Sequence, residues 1–276
     1  MNKTRYYAMK AELTAYNVII HEVSVLYKGL KLDKLRKKTK GRKLAIPIDQ
    51  MLAMGIFKQQ YGIETKKSVY QLLKPACSYK TFVVNLNRFA PLAALILSII
   101  LYINKLFAHP IKYTDSTDIP VCLPQHANSH KTMNLLASWG GTSTGTFYGI
   151  KLHITTDFNR RILKVRFASG RVDERDIFEK MNTDLEGIFV CDAGYIRKSL
   201  QYAFHIEGKR IMFVKPRNNM KKLMTKFQEW LYSGRMTIEL SFRSLKMFYG
   251  LITSLPRSVE GYLANYTYAL LAYCLA

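Results

Sequence analysis

Hydrophobic and polar positions change their period near residue 109. Between Ile46 and Phe107 the apolar residues recur at helical spacing. Met51, Leu52, Met54 and Phe57 predict one helix, Ser68 to Leu73 a second, Tyr79 to Phe89 a third, and Leu92 to Phe107 an apolar fourth. After His109-Pro110 the pattern shortens. Ile111 to Thr114 predicts a strand that ends at Asp115, and residues 117–146, with Pro120, Pro124, Gly140, Gly141 and Gly145, predict a loop. Tyr148, Ile150, Leu152 and Ile154 then alternate with Gly149, Lys151, His153 and Thr155, the signature of a half-buried strand. Leu163, Val165 and Phe167 alternate again beyond an Asp157-Phe158-Asn159 turn, so 147–168 reads as a hairpin.

Asp173 is placed to cap a helix through Met181, with Ile177, Phe178 and Met181 facing inward. Ile188 to Cys191 is a short, wholly apolar run of the kind found in buried strands, and it ends at Asp192. Gly194 turns the chain into a helix over 196–207, and Ile211 to Val214 is another buried strand. One helix is predicted over 229–247, and Ser258 opens a further helix carrying Tyr262, Tyr266 and Leu270. Strand–helix alternation after hairpin strands predicts a mixed α/β domain over 109–276, its mixed sheet flanked by helices. A small, basic, mostly helical region over 1–108 precedes it.

Charge narrows the partners. The 276 residues hold 42 Lys+Arg against 19 Asp+Glu, a formal net charge of +23, which points to nucleic acid or an anionic membrane. The most apolar stretch, Pro91 to Phe107, contains Ser98, Asn104 and Lys105, and its uninterrupted core is too short to span a bilayer, so a soluble cytoplasmic protein without a membrane partner is expected. Lys28 to Lys43 carries nine Lys/Arg against Asp33 alone, and 197–226 carries nine against Glu207. Both runs suit DNA phosphates, the second mainly through a loop at Lys215 to Lys226. The four cysteines lack CxxC spacing, so no disulfide framework or zinc ribbon is indicated, and Cys122, His126 and His130 have no fourth ligand nearby.

The candidate chemistry lies in three carboxylates. Asp115 and Asp192 each stand where an apolar strand gives way to polar residues, a placement that fixes a carboxylate while its head escapes the core. Tyr232, Arg235, Glu239 and Lys246 follow in the order Y-x2-R-x3-E-x6-K. On one continuous helix, at about 100° per residue, they would share a stripe roughly 60° wide. Oxygen-only ligands favour Mg²⁺ or Mn²⁺. Two such ions about 4 Å apart catalyse in-line phosphoryl displacement, which predicts that the three carboxylates converge within about 4–7 Å. Trp139 and Trp230 are able to stack on bases, with packing the plainer assignment for both. Asp118, Asp157, Asp173, Asp176 and Asp184 read as turn and cap residues.

Asp115-Ser116, Asp192-Ala193-Gly194-Tyr195 and the Tyr232/Arg235/Glu239/Lys246 quartet resemble the three motifs of DDE transposases of bacterial insertion sequences. The wider group is the IS-four-like superfamily. Thr114 to Cys122, Tyr148 to His153 and Leu270 to Leu275 resemble its IS-nine-eighty-two-like branch most. The resemblance covers roughly residues 80–276, with D-A-G-Y in place of the more frequent D-K-G-Y. It implies an RNase H-like catalytic domain with Asp115, Asp192 and Glu239 as catalytic metal ligands for two Mg²⁺ or Mn²⁺ ions. It also implies cleavage at transposon terminal inverted repeats, joining of the freed 3′-hydroxyl to target DNA, and a homodimer on DNA. Tyr232, Arg235 and Lys246 would contact DNA, and Lys151 and His153, on the polar face of the neighbouring strand, are further candidates for that role. A standalone RNase H-like nuclease and a decayed remnant that only binds DNA are the alternatives.

Overall fold

The computed structural model describes residues 3–35, 43–142, 145–217, 220 and 223–276. The chain forms two compact units, Met1–Ser98 with Leu245–Leu251 and Leu255–Ala276, and Ile99–Ser244 with Ile252–Ser254.

The first unit is helical. Helix α1 (Lys3–Gly29) buries Tyr16, Ile19, Val23 and Tyr27, a stripe at helical spacing that the heavy interleaving of polar residues hides in the sequence. Helix α2 (Ile48–Gln60) is covered almost all round, including Lys58 and Gln59. Helix α3 (Lys66–Leu73) begins at Thr65, whose hydroxyl accepts the Ser68 N–H at 3.0 Å. The two helices expected on either side of Pro91 form one, α4 (Tyr79–Leu106). Pro91 leaves the Asn87 carbonyl without its intrahelical donor, but it lies on an exposed side where water can take that place. Joined, the two segments make a helix long and apolar enough to cross a membrane by length and composition, which the shorter apolar run was not expected to be.

Helix α9 (Val259–Cys274) packs on α2, although the sequence pattern assigns it to the sheet-bearing half. Gly55 makes the close contact possible, since a Cβ there would meet the Tyr268 ring at 2.5 Å. The buried Gln59 amide donates to Asn265 Oδ1 at 2.8 Å, and Tyr268 Oη donates to the Leu86 carbonyl at 3.1 Å. These bonds pair polar atoms that burial would otherwise strand.

The second unit is built on a six-stranded sheet: β1 (Ile111–Pro120), β2 (Ser138–Thr142), β3 (Gly145–Asp157), β4 (Ile162–Ser169), β5 (Gly187–Cys191) and β6 (Arg210–Val214). The strand order is β2-β3-β1-β5-β6, and β4 pairs with β3 beside β2. β3 runs antiparallel to β1, β2 and β4, whereas β5 runs parallel to β1 and β6. Helices α5 (Glu174–Asn182) and α6 (Lys198–Phe204) join the later strands as expected, with Asp173 capping α5. Phe178 of α5, Phe189 of β5 and Phe204 of α6 pack ring to ring, with centroids 4.8–5.9 Å apart.

Three local expectations fail. β1 does not stop at Asp115: Ser116 to Pro120 pair with His153 to Gly149, so Asp115 sits inside a strand and Asp118 is a strand residue rather than a turn. Part of the expected loop is β2, where Gly140 approaches the Gly170 carbonyl too closely for any side chain; residues 143–144 of the glycine-rich segment lie outside the described residues. The helix expected over 229–247 is two, α7 (Lys226–Ser233) and α8 (Met236–Met247). The basic loop at Lys215 to Lys226 and the run at Lys28 to Lys43 are also partly outside the described residues.

Candidate active site

β1 and β5 set the first two carboxylates side by side. Tyr113 is registered on Val190, so Asp115 and Asp192 each stand two residues beyond the same pair, on strands about 4.8 Å apart. Asp192 follows the last residue of β5, and its Oδ1 accepts the Gly194 N–H at 2.8 Å. The Asp115 side chain is only 13% exposed. Burial pushes its carboxyl up to about 7; Arg235 and the Ser116 N–H oppose that rise, while the negative charges of Asp192 and Glu174 add to it.

Arg235 ties the third carboxylate to this pair. Its Nη2 donates to Asp115 Oδ2 and its Nη1 to Glu239 Oε1, both at 2.5 Å. Burial works against the guanidinium charge, but Asp115, Asp192, Tyr232 and Glu239 outweigh it and hold the group protonated. Its Nε is buried without a hydrogen-bond partner among the described residues.

The quartet is thus divided between two helices. Tyr232 is on α7 with Lys215 Nζ 4.7 Å from its ring centroid, Arg235 lies in the link, and Glu239 and Lys246 are on α8. Gly234 makes the link tight, because a Cβ there would overlap the Tyr113 hydroxyl. Tyr232, Arg235 and Glu239 belong to the sheet unit, and Lys246 to the helical one.

Lys151 and His153 do not lie on an open polar face. Their β1 partners are Asp118 and Ser116, whereas Asp115 is opposite Ile154, so they point to the sheet face away from the Asp115 side chain. That face is covered: His153 is buried, and Lys151 pairs with Glu174 of α5 at 2.8 Å. Burial is the main force holding the His153 pKa down, to about 4, so the ring is neutral at pH 7. Period-two alternation tells which residues share a face, but not whether a helix covers it.

One residue of the site escapes the sequence reading, and a second, Tyr195, appears there only as part of the D-A-G-Y motif, with no role of its own. Glu174 bonds Lys151 and Ser116 and adds its charge to the field at Asp115, but in the sequence the Asp173 cap beside it accounts for a local acid. The Tyr195 hydroxyl is buried near Asp115, Glu174 and Asp192 and has no hydrogen-bond partner among the described residues.

The expected convergence of three carboxylates is not seen. Among the described residues no group of three or more His, Cys, Asp or Glu side chains is gathered closely enough to hold a metal ion. Arg235 lies between Asp115 and Glu239 instead. The donor chemistry nevertheless fits a hard divalent cation, for Asp115 and Asp192 are adjacent oxygen donors, and burial with the charges of Asp192 and Glu174 makes Asp115 resist its own charge. Glu239 is bonded to Arg235 instead. A family model described as a transposase DDE domain matches residues 107–258. No curated protein and no solved structure matches the chain.

Proposed function

The chain belongs to the transposase DDE domain family, and from that premise we propose that it mobilises a bacterial insertion sequence of the IS-four-like superfamily, in the IS-nine-eighty-two-like branch. In this reading it cleaves the element's terminal inverted repeats and joins each freed 3′-hydroxyl to target DNA, working in the cytoplasm as a homodimer on DNA, without a membrane partner. The strand order β4-β3-β1-β5-β6, antiparallel on one side of β1 and parallel on the other, supports an RNase H-like catalytic domain. The observation that carries the function is the linked set of Asp115, Asp192 and Glu239, two on adjacent strands and the third joined through Arg235.

Held by these carboxylates, two Mg²⁺ or Mn²⁺ ions would supply Lewis-acid stabilisation of the attacking and leaving oxygens. The chain's own residues supply position and charge. Arg235 carries a planar fork that suits two oxygens of a phosphate as well as those of a carboxylate, so DNA offers it an alternative partner. In this reading Tyr232, beside Lys215, contacts the backbone flanking the scissile phosphate, and Lys246 is a further DNA contact. Asp192, anchored by the Gly194 N–H, keeps its orientation while Arg235 changes partner.

Oligonucleotides carrying the element's own ends test the reading. Wild-type protein should nick them only with Mg²⁺ or Mn²⁺, and Asp192→Asn should lower the rate at least about 100-fold. Equal cleavage by the two proteins would remove Asp192 from the chemistry.

A further inference from the structure

Trp230 is not packed away. It is 51% exposed, and it stands in a row of rings that runs across one face of the sheet unit. Phe227, one turn earlier on α7, stacks on it at 5.8 Å and 22°. Phe158, in the turn between β3 and β4, packs against Trp230 at 5.9 Å and 32°, and His109 lies 5.1 Å and 34° from Phe158. His109 is fixed in turn, its Nδ1 accepting the Ile111 N–H at 3.1 Å. Phe227 and Phe158 are 58% and 39% exposed. Four rings from three separate segments, each tilted 22–34° from the next, therefore keep part of their surface in water, at a cost in apolar exposure that folding alone does not require.

The rim of this row is basic. Arg160 and Arg161 follow Phe158 in the turn and Lys226 precedes Phe227, all of them exposed, against one acid on α7, Glu229. α7 then leads through Gly234 to Arg235 at the carboxylates. Flat rings with cations beside them match unpaired bases on a phosphate chain. In a duplex the base faces are already covered by their stacked neighbours, so such rings have little to gain from paired DNA. An apolar protein partner would not need the cations, and a chain with net charge +23 carries the field that brings polyanions to this face.

We propose that His109, Phe158, Trp230 and Phe227 form a stacking platform for the bases of single-stranded DNA leading to the catalytic carboxylates. This rests on the transposase reading and adds a substrate form to it: the strand is held unpaired next to the site.

Trp139 and Trp230 are the only tryptophans, so Trp139→Phe leaves Trp230 as the sole indole reporter. An oligo(dT) probe should quench its fluorescence saturably, and the effect should weaken as salt rises. In the otherwise wild-type chain, Trp230→Ala should lower oligo(dT) affinity about 5- to 100-fold, with Trp230→Phe recovering most of it. Duplex affinity should be unchanged in both. Unchanged oligo(dT) affinity in Trp230→Ala overturns the platform, as does oligo(dT) binding, seen by anisotropy, that leaves the Trp230 emission untouched. A change in sedimentation of Trp230→Ala without a change in oligo(dT) affinity also overturns it, in favour of an interface between copies of the chain. Failure to bind either single-stranded or duplex DNA would instead strike the transposase reading itself.

Discussion

Asp115 is held where its charged form is unwelcome, and the pH dependence of that penalty can be worked out. Its folded pKa of about 7 lies above the ordinary 3.8, so the folded state binds the proton more tightly than the unfolded chain. The stability linked to this group is fully present below about pH 4 and is lost as pH rises through 7. Asp115→Asn removes the charge and retains acceptor capacity for Arg235. In EDTA at pH 8 we expect Asp115→Asn to unfold later in urea than wild type, by on the order of 2–4 kcal/mol, with the gap closing toward pH 4. A variant less stable than wild type at pH 8 would mean that the Arg235 pair outweighs burial. Asp115, Asp192 and Glu239 draw attention in the sequence, because an acid beside an apolar strand or among cations stands out by type, but their link through Arg235 does not show there. Glu174 does not stand out, since one acid beside a helix cap looks like any other. The exposure of Trp230 was equally hidden, for nothing in a tryptophan's neighbours along the chain shows which rings will gather beside it.

At the level of elements, periodicity located most strands and helices but not their ends. β1 runs on through Ser116, Thr117 and Asp118 because β3 supplies its backbone partners, a cause that lies more than thirty residues away. α7 and α8 separate at Gly234, where the chain passes against Tyr113. Gly234 has φ −63°, helical and free of strain, so the glycine is there for space and not for conformation. Gly234→Ala should therefore destabilise the sheet unit by about 1–3 kcal/mol through overpacking. Tyr113→Leu in the same chain should restore part of that loss. Thermal melts of the single and double variants decide the point: without any recovery in the double variant, Tyr113 is not the cause.

For the whole molecule, the sequence pattern groups α9 with the sheet strands, whereas the structure groups it with the helical unit. The apolar residues of α9 keep a helical period that suits either partner, and the Gln59–Asn265 and Tyr268–Leu86 bonds, with Gly55 against Tyr268, show which one it takes. Removing Val259–Cys274 should open the helical unit by exposing α2, leaving the sheet unit protected. Limited proteolysis should then cut first within 1–98, whereas protection of that region equal to wild type would show that α9 is dispensable to it.

The pairing of α2 with α9 also sets a delay during synthesis. Gln59 and Asn265 are 206 residues apart, and a ribosome adding about 5–20 residues per second needs on the order of ten seconds or more to cover that span. Throughout that interval the seam on α2 lacks its cover, and the sheet unit, whose residues run to Ser254, is complete before α9 is. A nascent chain thus passes through a stage with its carboxylates made and its basic helices unfinished, and a stop codon between Ser254 and Val259 would make that stage permanent.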